Sequence, residues 1–185
     1  MIIALAGTSG SGKSTISKLI SQKLNISHHL GSGFIREMVK PYFSKESEPC
    51  LFNYSFRPHV EMDSFENLIL QSKTIKPSID ASTMRAHREK TNIIVEGVNC
   101  IPGVIDSRYI DFFGLVVVSD ENIHMSRIKK RGLNKVGRNF DDLDFKNVRY
   151  IQDKFIDIFE KKGLPIFDNG NLDTTTNKII KGIKE

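Results

Sequence analysis

The chain has 185 residues, of which 39% are hydrophobic and 26% are charged, and its formal net charge is +5. This length and composition predict one globular domain over residues 1–185 and argue against a disordered, coiled-coil or fibrous protein. Two cysteines, Cys50 and Cys100, are too few for a disulfide framework, so we expect a reduced, cytoplasmic protein. The apolar N-terminus is too short for a membrane span and lacks the basic flank of a signal peptide.

Short apolar runs alternate with helical patterns along the chain. The run Ile2–Ala6 is typical of a parallel strand covered on both faces, and a helical pattern follows it from Lys13 to Asn25. Later patterns predict strands at 27–30, 92–96, 114–118 and 164–167, and helices at 119–131, 145–162 and 174–183. This alternation predicts an α/β fold in which right-handed crossovers build a parallel sheet with helices on both faces.

The stretch between the second and third predicted strands departs from this pattern. Residues 41–57 are punctuated by Pro41, Pro49 and Asn53, and we interpret them as an irregular loop. Residues 60–88 have a mainly helical pattern, which Pro77 is expected to interrupt.

A glycine-rich segment fits the spacing G-x-x-x-x-G-K-[ST] and lies between the first strand and the first helix, where a phosphate-binding loop belongs. Its glycines permit conformations in which successive N–H groups surround phosphate oxygens at the positive end of a helix. Lys13 is expected to bridge the β- and γ-phosphates of ATP, and Ser14 to place its hydroxyl on Mg²⁺. The predicted nucleotide-binding residues of this segment are Gly7, Thr8, Ser9, Gly10, Ser11, Gly12, Lys13, Ser14 and Thr15.

A single carboxylate, Glu96, stands at the end of the third predicted strand, in the sequence Ile93–Gly97. The carboxyl end of a strand beside the phosphate loop is a position from which an acid can bind Mg²⁺ through water or orient an acceptor hydroxyl. We therefore predict that Glu96 is a catalytic and metal-binding residue.

Basic residues cluster at the end of the helix predicted at 119–131 and just after it, in a stretch that also contains Gly132 and Gly137. This composition predicts a lid at about 128–140, which closes over the phosphates, excludes water and brings guanidinium groups to the transferred phosphoryl group. Arg131 and Arg138 are the predicted catalytic members. The cluster consists of Arg127, Lys129, Lys130, Arg131, Lys135 and Arg138.

With these segments in place, the whole chain resembles the 2-phosphoglycerate kinase family, a part of the nucleoside-monophosphate-kinase-like P-loop proteins. The stretch 6–15 is similar to the opening of that family. Phe34–Glu37 resembles its Ile-Arg-Glu element, and 94–103 resembles its Glu-Gly-Val-His-x-x-Pro-Gly stretch. The family's lid is matched by Arg127, Arg131 and Arg138 in the same order. Its next helix is matched by 148–152, and its last strand by 165–169.

The resemblance implies a three-layer P-loop kinase fold with strand order 2-3-1-4-5 and a phosphoryl acceptor bound opposite ATP. It implies that residues 34–90 form the acceptor side and that Arg36, Asn99 and Arg149 bind a small anionic acceptor. It also implies that Arg127 and Asn169 contribute to the nucleotide site. The sequence is compatible with a monomer or a homodimer, and no nucleic acid or membrane partner is expected.

Two positions differ from the family pattern. Gly33 stands where the family usually has an aspartate, and Asn99 stands where it has a histidine. In related kinases the aspartate orients or deprotonates an acceptor hydroxyl. Either Glu96 takes over this task, or the acceptor is already an anion that needs no base.

The residues therefore support an ATP-dependent kinase whose acceptor is 2-phosphoglycerate or a similar phosphorylated hydroxy acid. A nucleoside monophosphate kinase is the nearest alternative, because a phosphate oxygen attacks without a base and the glycine at position 33 is then no obstacle. A nucleotide-binding switch or a nucleic-acid-associated ATPase is a further alternative that the positive charge permits. Against it, the chain has no basic tract interleaved with aromatic residues.

Overall fold

The computed structural model describes residues 1–59, 61–133 and 140–185, with 131–133 described through their backbone alone. Five parallel strands form one sheet in the order β2-β3-β1-β4-β5. This arrangement confirms the predicted fold class and strand order. The strands are β1 (Ile2–Ala6), β2 (His28–Gly31), β3 (Ile93–Gly97), β4 (Phe112–Val117) and β5 (Ile166–Asp168).

Helices connect the strands and cover both faces of the sheet. They are α1 (Lys13–Lys23), α2 (Ser32–Val39), α3 (Pro49–Phe52), α4 (Ser64–Glu89), α5 (Glu121–Leu133), α6 (Asp142–Lys161) and α7 (Leu172–Lys184), with a short 3₁₀ turn at Lys40–Tyr42. Among these described elements, none is long and apolar enough to cross a membrane.

The core divides into two layers because side chains of a strand alternate between faces. Ile3 and Leu5 of β1 pack with α1 and α7, while Ile2 and Ala4 pack with the larger cluster that includes α4 and α6. Both faces of the central strand are therefore buried, as its continuous apolar sequence predicts.

Three helices differ from the sequence prediction. Helix α3 lies within residues 41–57, which were expected to form an irregular loop. The structure also has an unpredicted helix α2, whose apolar residues Phe34 and Met38 are exposed. Helix α4 continues through Pro77, so the predicted interruption is wrong. Ile75 and Ile79 on either side of the proline are fully buried, and this packing outweighs the cost of about 3 kcal/mol that proline imposes inside a helix.

The register of the sheet brings the expected functional segments to one edge. Leu5 of β1 lies beside Glu96 of β3, and Glu96 lies beside Gly31 of β2. The loop that follows β1 and the residues that follow β2 and β3 therefore meet at the carboxyl ends of the strands, where open α/β sheets bind their ligands.

Candidate active site

The segment between β1 and α1 forms a loop that is suited to an anion. Gly12 caps α1 with φ 86°, a left-handed conformation, and a Cβ at this position would collide with the Asn169 amide. Helix α1 has no side-chain cap and no acidic residue in its first turn. Its positive end therefore keeps free N–H groups that can receive phosphate oxygens.

Three carbonyl groups of the loop accept hydrogen bonds from side chains. Lys13 Nζ donates to the Thr8 carbonyl at 3.1 Å, His124 Nε2 contacts the Ser9 carbonyl at 2.7 Å, and Asn169 Nδ2 donates to the Ser11 carbonyl at 2.8 Å. A trans peptide places each C=O opposite the next N–H, so these contacts fix the direction of the loop amides. Within the described part of the chain, the N–H groups of Gly10 and Gly12 donate no hydrogen bond.

Gly10 and Gly12 line a cavity of about 330 Å³, which we call the loop cavity. Its far wall comes from α5 and from the turn after β5, where Arg127 Nη1 donates to the Asn169 carbonyl at 2.8 Å. The predicted nucleotide-binding residues Arg127 and Asn169 thus lie together beside the loop. The cavity is lined by Gly10, Gly12, Lys13, Ser14, Thr15, Arg127, Asn169 and Leu172.

A second cavity of about 510 Å³ lies between α2, α4 and the end of β3. Lys13 and Ser14 line this second cavity as well as the loop cavity. The two cavities therefore meet at the lysine and the serine of the phosphate loop. A chemical group that is transferred from a ligand in one cavity to a ligand in the other would lie beside the Lys13 ammonium and the Ser14 hydroxyl.

Glu96 opens into the second cavity. The residue is only 8% exposed, and its carboxylate has no hydrogen bond or ion pair with any residue that the structure describes. A carboxylate that opens into a cavity without a protein partner is available to a ligand, a metal or a transferred proton. The buried Cys100 thiol lies nearby, and burial together with the charge of Glu96 raises its pKa well above its usual range.

Arg36 and Asn99 also line the second cavity, but both side chains already have partners. Arg36 Nη2 donates to Glu37 Oε1 at 2.8 Å, and its Nη1 donates to the Asn53 carbonyl at 3.1 Å. Burial raises the pKa of Glu37, but hydrogen bonds from Lys40 and Arg36 outweigh this effect and hold the pKa below its ordinary value. Arg36 therefore presents a guanidinium that is partly neutralised before any ligand binds.

Asn99 is held by a network with a fixed direction. Gln71 Nε2 donates to the Cys50 carbonyl at 2.7 Å, so its Oε1 faces Asn99 and accepts from Asn99 Nδ2 at 3.1 Å. Asn99 Nδ2 also donates to Ser72, and Asn99 Oδ1 accepts from Ser32 Oγ at 3.0 Å. Because Asn99 is 1% exposed, the network makes it part of the cavity wall.

Arg149 is not among the residues that line the second cavity, and its contact with the acceptor stays a prediction. Its Nη1 donates to the Val118 carbonyl at 2.6 Å and lies 3.4 Å from His124 Nδ1, and its Nε is 3.6 Å from Glu121. These contacts place it at the junction of β4, α5 and α6. The two predicted lid residues, Arg131 and Arg138, have side chains outside the described residues.

The side chains at this site suit Mg²⁺ better than a metal ion whose ligands all come from the protein. No group of three or more His, Cys, Asp or Glu side chains could hold a metal ion among the described residues. Mg²⁺ usually keeps several waters and takes one or two protein oxygens besides phosphate. A hydroxyl from Ser14 and a nearby carboxylate from Glu96 fit that requirement.

Sequence reasoning missed His124, Ser32 and Gln71. His124 contacts Ser9 across 115 positions of sequence, so no local pattern signals this contact. Ser32 and Gln71 hold the side chain of Asn99 by hydrogen bonds. The sequence shows that Asn99 differs from the family pattern, but it does not show that Asn99 forms part of the wall of the second cavity. Only the fold shows these three residues in the site.

The parallel sheet, the phosphate loop and the two adjoining cavities define a P-loop protein of the kinase fold. The solved structure of shikimate kinase from Acinetobacter baumannii matches 99% of this chain and 92% of its own length, with a TM-score of 0.62 at 14% identity. Deoxyadenosine kinase from M. mycoides matches 100% of this chain and 99% of its own length, with a TM-score of 0.54 at 18% identity. At these identities the likeness concerns the fold alone.

The chain belongs to the AAA_18 family, described as an AAA domain, whose profile matches residues 3–157. It is also similar to curated proteins named 2-phosphoglycerate kinase. The protein from Methanocaldococcus jannaschii is 26% identical over 196 residues, covering 100% of this chain and 63% of the relative. The protein from Thermococcus kodakarensis is 26% identical and covers 97% of this chain and 65% of the relative. The chain thus spans less than two thirds of the length of these relatives.

Proposed function

We propose that the protein is an ATP-dependent kinase that uses Mg²⁺ to transfer the γ-phosphoryl group to a small anionic acceptor. The observation that carries this proposal is the position of Lys13 and Ser14, which line both cavities at their junction. ATP is assigned to the loop cavity and the acceptor to the second cavity. The γ-phosphate then lies where the two substrates meet.

The chemistry requires positioning and neutralisation of charge more than covalent assistance. The acceptor hydroxyl oxygen bonds to the γ-phosphorus, the bond from that phosphorus to the bridging oxygen breaks, and ADP leaves with the electron pair. The hydroxyl proton passes to the Glu96 carboxylate. Ser14 and Glu96 would hold Mg²⁺, which would neutralise phosphate charge during the transfer.

For the acceptor we propose 2-phosphoglycerate or a similar phosphorylated hydroxy acid. The names of the archaeal relatives support this assignment, and so does Arg36 in the wall of the second cavity. The unpaired carboxylate of Glu96 also supports it, because a hydroxyl acceptor releases a proton and needs a group that receives it.

A nucleoside monophosphate kinase is the second candidate. Phe34, Tyr54 and Phe56 line the second cavity, and the rings of Tyr54 and Phe56 lie 5.4 Å apart with an interplanar angle of 1°. Aromatic side chains of this kind suit the flat face of a nucleobase. In this reaction a phosphate oxygen of the acceptor attacks and has no proton to lose, so the reaction needs no carboxylate at position 33.

The products of the two reactions differ in a way that ³¹P NMR detects. We expect incubation with MgATP and 2-phosphoglycerate to give a new phosphomonoester signal and ADP. CMP or AMP in place of the hydroxy acid is expected to give no new phosphoanhydride. A phosphoanhydride signal with a monophosphate, and none with the hydroxy acid, would favour the second candidate.

Gly33→Asp restores the carboxylate that the family usually has, and we expect it to raise turnover of a hydroxyl acceptor several-fold. A Cβ at Gly33 meets no atom within 4 Å, and the residue lines the second cavity. An acid in the first turn of α2 is also expected to raise the free energy of unfolding by about 0.5–1 kcal/mol. Gly33→Asn is the neutral control. Equal turnover by both variants would show that the added charge has no part in the reaction.

A further inference from the structure

His124 joins the phosphate loop to the two helices that flank residues 134–139. It lies on α5, is fully buried, and packs edge-to-face on Phe145 of α6 with ring centroids 5.7 Å apart. Its Nε2 is 2.7 Å from the Ser9 carbonyl of the loop, and its Nδ1 is 3.4 Å from Nη1 of Arg149 on α6. One imidazole on α5 therefore contacts both the phosphate loop and α6.

The partners determine which ring nitrogen carries the hydrogen. A guanidinium has only donors, so Nδ1 must accept from Arg149, and a carbonyl has only lone pairs, so Nε2 must donate to Ser9. Arg149 is itself oriented by the carbonyl of Val118 at 2.6 Å. The neutral Nε2–H tautomer is thus the form that satisfies both contacts.

We propose that His124 is a positioning residue for nucleotide binding, which aims the Gly10 N–H at the phosphates through the Ser9 carbonyl, while Arg149 fixes its tautomer. The peptide between Ser9 and Gly10 is trans, so holding its C=O against α5 turns its N–H the other way. Gly10 lines the loop cavity, where this N–H meets the ligand. The proposal rests on the proposed binding of ATP in that cavity.

Gly10 packs closely against α5. A Cβ on Gly10 would lie 2.5 Å from Ile128 Cγ1 and 3.0 Å from His124 Cδ2, and Gly10 has φ 80°. Only glycine fits against α5 in this conformation. The contact with His124 therefore acts on a backbone that is already pressed against the same helix, and a small rotation of the peptide would misdirect the amide.

Protonation of His124 opposes this arrangement. Burial lowers the pKa of His124 below its ordinary value of 6.5; the hydrogen bond to Ser9 opposes the shift, and the charges of Arg149, Arg127 and Lys13 add to it. Of the charged groups that the structure describes, these three cations face the ring, and Glu121 contacts Arg149 at 3.6 Å. A proton on Nδ1 would replace the acceptor that Arg149 needs, so nucleotide affinity is expected to fall as pH falls below 6.5.

The test measures binding of Mg–AMP-PNP, a non-hydrolysable ATP analogue, by calorimetry. His124→Phe keeps the aromatic packing but removes the N–H, and we expect roughly tenfold weaker binding with an unchanged KM for the acceptor. His124→Gln carries an amide N–H at the position of Nε2 and is expected to restore affinity to within about threefold of the wild type. His87→Gln, on the remote face of α4 where His87 stacks on Tyr109, controls for loss of a histidine.

The pH profile separates positioning from a purely structural role. Between about pH 8 and about pH 5.5, the wild type and His87→Gln are expected to lose more affinity than His124→Gln, which has no proton to gain at this position. Equal affinity of His124→Phe and the wild type, or equal loss in the Phe and Gln variants, would overturn the proposal.

A measurement without nucleotide keeps the two proposals distinguishable. ¹⁵N NMR of the wild type at neutral pH is expected to show His124 as the neutral Nε2–H tautomer. An imidazolium or an Nδ1–H tautomer would overturn the assignment even if ATP binds. Failure of the wild type to bind Mg–AMP-PNP, with the expected tautomer present, would instead overturn the proposed function and remove the role of His124 in it.

Discussion

Lys13→Met is expected to lower kcat by roughly 10³-fold or more while leaving the fold intact. Among the residues that the structure describes, Lys13 is the one cation that lines both cavities. Lys13 is 8% exposed, and its stem is packed within the loop. Methionine keeps most of that apolar volume and removes the charge. The change therefore tests the charge and not the packing. Steady-state release of ADP measures the effect.

A matched control for this variant lies on the same helix. Lys18 is exposed on α1 and lines neither cavity, so Lys18→Met removes the same charge at a remote position. We expect its kcat to stay within about twofold of the wild type. Thermal unfolding of both variants checks that they are folded. Comparable activity of Lys13→Met and Lys18→Met would remove the assigned role of Lys13.

Glu96→Gln is expected to lower kcat by roughly 10²-fold to 10³-fold, since the unpaired carboxylate faces the second cavity. The amide has the same shape but can neither take a proton nor attract a cation. The free energy of unfolding is expected to change little, because the substitution removes no hydrogen bond or ion pair between described residues. Urea unfolding checks this second expectation.

The dependence on Mg²⁺ separates the two roles of Glu96. If the carboxylate binds the ion through water, the Mg²⁺ concentration for half-maximal rate rises in Glu96→Gln; if it only receives the proton, that concentration is unchanged and kcat alone falls. Glu89→Gln at the exposed end of α4, where Glu89 pairs with Arg85, is the control. A Glu96→Gln enzyme with wild-type kcat would exclude both roles.

The three central strands, β1, β3 and β4, could be predicted from the sequence because they are buried on both faces. Continuous apolar runs such as Ile2–Ala6 and Ile93–Val95 signal this environment directly, and the predicted strand positions agree with the structure to within about two residues. Helix α2 has only eight residues, and a pattern this short gives a weak helical signal. The continuity of α4 was missed because packing on both sides of Pro77 overrides a local preference.

The phosphate loop could be predicted because its chemistry depends on neighbouring residues in the chain. The remaining walls of the site depend on contacts between distant segments, such as Asn99 with Gln71 and His124 with Ser9. The contacts of Arg149 also follow from the fold, because its guanidinium donates to the carbonyls of Val118 and Ser119 at the end of β4.

We propose that loop amides at the start of α1 bind the phosphates of a nucleoside triphosphate. Titration of ¹⁵N-labelled protein with Mg–AMP-PNP, with heat of binding measured in parallel, reports on these amides one by one. We expect saturable heat and large shifts of the Gly10, Gly12 and Ser14 amide signals at one common affinity. Absence of heat, or binding that leaves these three signals in place, would show that the loop does not bind the phosphates.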